Sequence, residues 1–326
     1  MQRWLILLVL VGCGPGSDRG SPAPAPAAGD DGGEAAGDEA GDEAGGDEIG
    51  DDADADPGPD PAEAAREGEG EGEPPEGPPP ASPGCDAWPA DGDLLPALHE
   101  ALSDTYDPID PEPDLGGELN RYTTARHLLF TQVERLNGGL ECVYTGRFVE
   151  TGPDEEPDND DINCEHTWPR GRMADEDEAP TLYQHQQSDM HHLFPSDART
   201  NSARGSLHFG EPVRALEREY APAELGEDAD GNRVFAPRPE RRGDVARGLL
   251  YYSARWGVDI EEVEEAVLRS WADDDPPDDR ERVRNDAIAA IQGNRNPFVD
   301  CPALLGQVSD FVAFERAPRD GQLPLP

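Results

Sequence analysis

The spacing of apolar residues along the chain predicts several amphipathic helices. Apolar positions recur every three or four residues over 117–136 and again over 241–256, which is the period of one helix face. Further helices are predicted over 94–106, over 278–292 and after Asp259, which is the expected N-cap of its helix. Gly257 and Gly293 are the expected stop signals. The chain therefore contains a mainly helical domain.

The middle of the chain has a different pattern. Residues 140–150, 162–168 and 189–194 are short segments bounded by polar turns, and they are predicted to be strands. A short helix is expected to follow the last of them, with Ser196 as its N-cap. We therefore predict an α+β fold, in which the helical domain carries a small ββα insert.

The first 13 residues predict an export signal. One arginine is followed by an apolar run too short to span a bilayer, and the run ends in Leu-Val-Gly-Cys. This ending resembles a bacterial lipobox, in which Cys13 is lipidated and becomes the mature N-terminus. The alternative is an ordinary cleaved signal with an unpaired cysteine.

A long acidic segment separates this signal from the folded part. Residues 14–84 contain 21 acidic residues and two arginines, with hardly any large apolar side chains, so a disordered tether is predicted. Residues 85–326 form the predicted domain, which carries a net charge of −28, and the chain has no lysine. Such acidity argues against broad electrostatic binding of nucleic acid.

Four cysteines remain after the signal. An even number in an exported protein predicts two disulfides, and four cysteines allow three pairings. We expect Cys142 to pair with Cys164, and Cys85 to pair with Cys301, which would join the two ends of the domain. The alternative is free, buried thiols.

Five of the seven histidines lie between residues 163 and 209, together with other polar residues. Phosphodiester hydrolysis needs a base that works near neutral pH, which suits His166, and a hard cation held by oxygen ligands. Glu165 and Asn201 offer such oxygens. A structural histidine pair, or a zinc site, is the alternative for His185, His191, His192 and His208. No cysteine pair or HExxH spacing supports zinc.

Four ordered blocks resemble a known family: CEHTWPRGRM at 164–173, SDMHHLFPSDARTNSARGSLHFGE at 188–211, RRGDVARGLLYYSARWG at 241–257 and ERVRNDAIAAIQGNRNPFVD at 281–300. They are similar to the bacterial endonuclease I family, which comprises secreted or periplasmic nucleases with a ββα-metal (His-Me finger) site. The resemblance implies a mainly helical α+β domain that carries this motif.

The resemblance also implies roles for individual residues. His166 matches the general base, and Glu165 and Asn201 match the ligands of Mg²⁺ or of another divalent cation such as Mn²⁺ or Ca²⁺. Arg172 is expected to stabilise the leaving group and Arg170 to bind phosphate. Arg204 matches an arginine of the family and is expected to bind phosphate or to support the structure of the site. Asp189 and His191 are expected to orient the residues of the site without contacting the substrate.

The expected function is an exported endonuclease that cleaves DNA, RNA or both and leaves 5′-phosphate ends. It would be lipid-anchored to the cell envelope, with the outer membrane favoured, or secreted, and would need no obligate protein partner. The alternatives are an inactive surface lipoprotein and a phosphoesterase with a small substrate. A regular strand would place Glu165 and His166 on opposite faces, so the strand is expected to end, bend or bulge there.

Overall fold

The computed structural model describes residues 80–89, 94–112, 120–217 and 220–312. The predicted signal peptide, Cys13 and nearly all of the predicted tether lie outside the described residues. Within the described part, no helix has the length and apolar character needed to cross a membrane. The protein combines helices with small sheets, so the α+β class is confirmed.

The helices lie mainly in the second half of the chain. The helix Arg121–Leu128 continues into a π-helical segment at Leu129–Val133. Of the short 3₁₀ segments, the turn Met190–His192 is the one that contributes to the site. The α-helices of the described residues are α1 Leu94–Thr105, α2 Arg121–Leu128, α3 Pro180–Ser188, α4 Ala198–Arg204, α5 Arg242–Trp256, α6 Glu262–Asp274, α7 Asp279–Gln292 and α8 Pro297–Asp300.

Helix α5 is the centre of the hydrophobic core. Its residues from Gly243 to Trp256 are all buried, so it is enclosed on every side rather than amphipathic. It packs against α1, α6 and the turn Met190–His192. Gly257 ends the helix with a left-handed φ of 66°, a conformation that glycine adopts without steric cost, and this confirms the predicted stop.

The strands form three small sheets. In the first two, β1 (Gly139–Glu141) pairs with β2 (Phe148–Glu150), and β3 (Ile162–His166) pairs with β4 (Leu193–Asp197), both antiparallel. The third sheet has the order β5-β8-β7-β6, in which β5 and β8 are parallel. Its strands are β5 His208–Phe209, β6 Arg214–Glu217, β7 Glu224–Glu227 and β8 Arg233–Ala236.

Local capping explains several differences from the prediction. Residues 190–192 form a turn rather than a strand, because the Asp189 carboxylate accepts the His191 amide hydrogen and closes it. Asp197, not Ser196, caps α4, since its carboxylate accepts hydrogen bonds from the first turn of that helix. Glu261, not Asp259, precedes α6. The third sheet was not predicted, because its strands span only two to four residues.

One of the two expected disulfides is confirmed and the other is wrong. Cys85 and Cys301 are bonded, whereas Cys142 and Cys164 are free and buried. The Cys142 sulfur lies 3.8 Å from the Ser196 hydroxyl, and Ser196 pairs with the residue before Cys164. Because side chains alternate along a strand, Cys164 points to the opposite face of the β3–β4 sheet.

We predict that replacing both Cys85 and Cys301 by alanine lowers the free energy of unfolding by about 2–5 kcal/mol. The bond closes a loop with a sequence separation of 216, so its loss enlarges the unfolded ensemble. Urea unfolding measures the effect. Reductant should shift the wild-type midpoint to that of the variant and leave the variant unchanged. Equal midpoints for the oxidised wild type and the variant would contradict the prediction.

Candidate active site

Strands β3 and β4 and helix α4 form one unit. The antiparallel register places Glu165 opposite Phe194 and His166 opposite Leu193. Helix α4 follows β4 directly and packs against both strands. Strand β3 ends at His166, so the polar residues of interest lie at a strand terminus next to a helix.

The alternation along β3 separates Glu165 from His166. Glu165 contacts Tyr144 and Arg204, whereas His166 packs against Tyr122, with ring centroids 4.9 Å apart. The two side chains therefore have different neighbours, as expected for consecutive strand residues. Strand β3 ends at His166, which is one of the three outcomes expected from the sequence. Residues after His166 therefore do not have to follow the alternation of a strand.

The Glu165 carboxylate is buried and held at one oxygen. The Tyr144 hydroxyl donates to Oε1 at 2.7 Å, and the Arg204 guanidinium donates to the same oxygen at 2.8 Å. Burial raises the pKa of Glu165, and Arg204 and Tyr144 oppose this rise. No hydrogen bond from any described residue reaches Oε2. One carboxylate oxygen is thus left for another partner.

Arg204 connects α4 to the end of β3. Besides Glu165, its guanidinium donates to the backbone oxygens of His166 at 3.0 Å and Thr167 at 2.6 Å. It lies over the Phe209 ring, 4.5 Å from the centroid, and is 1% exposed. This enclosed position favours the supporting role predicted for Arg204 over direct contact with a phosphate.

Asn201 and Glu165 offer a donor set that suits a hard cation. The Asn201 amide nitrogen donates to the Asn163 side-chain oxygen at 2.8 Å, and no described residue hydrogen-bonds to the Asn201 side-chain oxygen. Asn163 and Glu165 share a face of β3, two residues apart. Mg²⁺ needs only one or two protein oxygens, because water and substrate phosphate supply the others, so these residues fit such an ion.

The histidines do not form the alternative zinc site. No group of three or more His, Cys, Asp or Glu side chains in the described ranges could hold a metal ion. Their imidazoles are separately engaged: His191 with the Asn294 carbonyl, His192 with the Gln186 carbonyl, and His208 with the Glu264 carboxylate. The zinc alternative for His185, His191, His192 and His208 is therefore wrong.

The His166 ring is held in one tautomer. Its Nε2 lies 3.0 Å from the Gln187 carbonyl oxygen, and a carbonyl only accepts, so Nε2 carries the hydrogen. Burial, with a smaller contribution from the charges of Arg170 and Arg204, lowers the pKa of His166 to about 3, although the hydrogen bond to Gln187 opposes this shift. The ring is neutral at pH 7, and its Nδ1 has a free lone pair. His166 can accept a proton there.

Asp189 and His191 lie behind the site, in the helical core. Asp189 accepts hydrogen bonds from Tyr251 at 3.0 Å, Trp256 at 3.2 Å and Gln292 at 2.9 Å. Among the described residues neither Asp189 nor His191 forms a hydrogen bond with Glu165, and both belong to the turn that leads into β4. They anchor that turn to α5 and α7.

The two arginines predicted to contact the substrate have different partners. Arg172 donates to the buried Glu264 carboxylate at 3.1 Å and to the Ser206 carbonyl at 3.4 Å. Arg170 is exposed and donates to the Tyr183 hydroxyl at 2.6 and 2.9 Å. Within the described residues Arg170 has no carboxylate partner, so its charge is the less neutralised of the two.

The sequence reasoning missed three supporting residues. Asn163 precedes Glu165 by two positions, so the period of a strand was a usable signal for it. Tyr144 and Gln187 meet the site only through tertiary contacts. No local pattern could have assigned either of them.

A neutral histidine with a free ring nitrogen can act as a general base, and two free oxygen atoms can hold a hard cation; metal-assisted hydrolysis uses both groups. The comparison with known families identifies the class. Residues 119–303 match the family model described as Endonuclease I. This match covers more than half of the chain, which therefore belongs to the Endonuclease I family.

Several curated relatives are similar to part of the chain. An extracellular ribonuclease of Bacillus subtilis (strain 168) is 37% identical over 139 residues, which cover 37% of this chain and 46% of that protein. An extracellular deoxyribonuclease of Aeromonas hydrophila is 30% identical over 114 residues, which cover 35% of this chain and 49% of that protein. The chain spans about half the length of the curated relatives it matches.

We predict that His191→Gln flattens the pH dependence of stability. Burial lowers the pKa of His191 from its usual 6.5 to about 3, so unfolding takes up a proton between these values. The free energy of unfolding therefore falls as pH falls from 6.5, by up to about 1.4 kcal/mol per pH unit for this histidine.

Urea unfolding at several pH values measures this slope. Between pH 6 and 4.5 the variant should have the shallower slope, even though its stability is lower overall. Above pH 7.5 the two slopes should agree, because the histidine is neutral in both the folded and the unfolded state. Equal slopes over the acidic range would contradict the burial argument.

Proposed function

We propose that the protein is an exported, metal-dependent endonuclease that hydrolyses phosphodiester bonds of DNA, RNA or both. The observation that carries the proposal is the buried, neutral His166 beside Glu165, whose free oxygen fits a divalent cation. Strand β3, strand β4 and helix α4 would form the ββα-metal, or His-Me finger, motif. Family membership supports this assignment.

The proposed residue roles combine these contacts with what membership of the family implies. His166 takes a proton from water through Nδ1 while the water oxygen forms a bond to phosphorus and the bond to the 3′-oxygen breaks. This leaves a 5′-phosphate end. Glu165 and Asn201 would hold Mg²⁺ or another divalent cation such as Mn²⁺ or Ca²⁺. When bound, the cation neutralises phosphate charge and stabilises the leaving oxygen.

Arg170 fits the phosphate-binding role better than Arg172. A guanidinium binds phosphate through paired, charge-assisted hydrogen bonds, and the Arg172 guanidinium is already paired with the buried Glu264. Arg170 has only a tyrosine hydroxyl, and its charge acts on His166. We therefore assign phosphate contact to Arg170 and anchoring of the segment after β3 to Arg172.

Nucleic acid is the substrate class that the relatives support. Proteins named ribonuclease and deoxyribonuclease both match the chain, so either polymer is a candidate. Many arginines of the domain are paired with carboxylates, including Arg126 with Glu156 and Arg238 with Glu141. The net charge of −28 therefore repels a polyanion at long range. Substrate binding would depend all the more on the bound cation and on Arg170.

The central test is incubation of the purified protein with plasmid DNA and with RNA, in Mg²⁺ and in EDTA. We expect cleavage only with the divalent cation, and His166→Ala should be about 10²–10⁴-fold slower while keeping its fold. End-labelling should detect 5′-phosphates on the products.

His127→Ala is the matched control. His127 is half-buried, lies 3.2 Å from the Glu156 carboxylate, and has no hydrogen bond or ring contact with Glu165 or His166 in the described residues, so its loss should leave the rate near wild type. Wild-type activity of folded His166→Ala would contradict the role of the base. Binding of nucleic acid without cleavage under every metal condition would instead favour the inactive surface lipoprotein.

We further propose export and lipid anchoring through Cys13. Relatives named extracellular and periplasmic support export, and the lipobox-like sequence before Cys13 supports the anchor. Cys13→Ser should move the protein from the membrane fraction to the soluble fraction of the producing cells. A cytosolic marker protein controls for lysis. Unchanged membrane association would contradict the anchor.

A further inference from the structure

Tyr144 is a buried tyrosine with one polar contact at the site. It lies between β1 and β2, is completely buried, and packs edge-on against Phe235 with centroids 4.8 Å apart. Its backbone oxygen accepts the Arg238 amide hydrogen at 3.0 Å. The ring is thus held by packing and by the backbone, independently of what its hydroxyl does.

The hydroxyl of Tyr144 points to a single partner. It donates to Oε1 of Glu165 at 2.7 Å, the one side-chain hydrogen bond that this hydroxyl makes among the described residues. The aromatic neighbours Phe209 and Phe235 would pack equally well against a phenylalanine. Since burying a hydroxyl without a partner costs free energy, its contact with Glu165 is what the hydroxyl contributes.

Two donors converge on the same carboxylate oxygen. Arg204 also donates to Oε1, at 2.8 Å, and Phe209 lies under its guanidinium and beside Tyr144. The donors come from different elements, the β1–β2 connection and α4, so together they fix the carboxylate in two directions. This arrangement occupies Oε1 and leaves Oε2 on the same group without a described partner.

We propose that Tyr144 is a positioning residue that holds Oε1 of Glu165 so that Oε2 faces the divalent cation. The inference rests on the proposed function, because it takes Glu165 as a metal ligand. Tyr144 touches neither substrate nor cation. Its effect passes through the orientation of the carboxylate, as residues that hydrogen-bond to metal ligands are known to act.

The test measures Mn²⁺ binding by calorimetry without nucleic acid. Tyr144→Phe, which removes one oxygen and keeps the ring, should bind Mn²⁺ about 10–100-fold more weakly. Tyr252→Phe is the matched control, because Tyr252 is also fully buried, stacks on Trp168, and its hydroxyl has no partner among the described residues. Its Mn²⁺ affinity should equal that of the wild type.

A second measurement separates positioning from general structural damage. The Mg²⁺ concentration for half-maximal cleavage should rise in Tyr144→Phe by the same factor as the dissociation constant. At saturating Mg²⁺, kcat should return to within a few-fold of wild type. A loss of kcat that saturating Mg²⁺ does not restore, or a variant unfolded at the assay temperature, would show a structural role and overturn the proposal.

Glu165→Gln distinguishes this inference from the proposed function. If the wild type and Glu165→Gln bind Mn²⁺ equally, or neither binds it, the metal site itself is wrong and both proposals fail. If Glu165→Gln loses binding while Tyr144→Phe binds like the wild type, only the positioning role of Tyr144 is wrong. Loss in both variants, with Tyr252→Phe unchanged, supports the positioning role.

Discussion

The buried ion pair between Arg204 and Glu165 is the interaction on which the site depends. Removing two charges from water costs more than their attraction returns unless further hydrogen bonds satisfy both groups. Here the guanidinium also donates to the backbone oxygens of His166 and Thr167, and Tyr144 donates to the carboxylate. The pair therefore connects α4 to the end of β3. Removing one partner would leave the other charge buried without a counter-charge, which would lower the free energy of unfolding by about 3–5 kcal/mol.

The helical core provides the second constraint, because it positions the His166 ring at the end of β3 and the turn that leads into β4. Helix α5 is enclosed on all sides, and Asp189 ties the turn before β4 to α5 and α7 through three side-chain donors. The last carbonyls of α3 orient two imidazoles, His166 through Gln187 and His192 through Gln186. A rigid scaffold thus fixes the tautomer of the proposed base.

These two constraints place different chemistry on the two faces of one strand end. Glu165 is bound by the Arg204 guanidinium and the Tyr144 hydroxyl, near the Asn163–Asn201 amide pair, whereas the His166 ring lies against Tyr122 and His192 and bonds to a backbone carbonyl. The first environment suits a hard cation, and the second keeps an imidazole neutral. A short strand that stops at His166 lets the proposed acid–base and metal-binding functions lie one residue apart.

The sequence by itself determined the α+β class, the long helices, the glycines that end them, and the residue types needed for hydrolysis, because periodicity, capping and chemical type are local properties. The tertiary structure decided which cysteines pair, that residues 190–192 form a turn, and that four very short strands make a sheet. It alone placed Tyr144 against Glu165 and enclosed Arg204. Side chains far apart in the chain meet only through packing, and no local pattern records which of them will share a buried space.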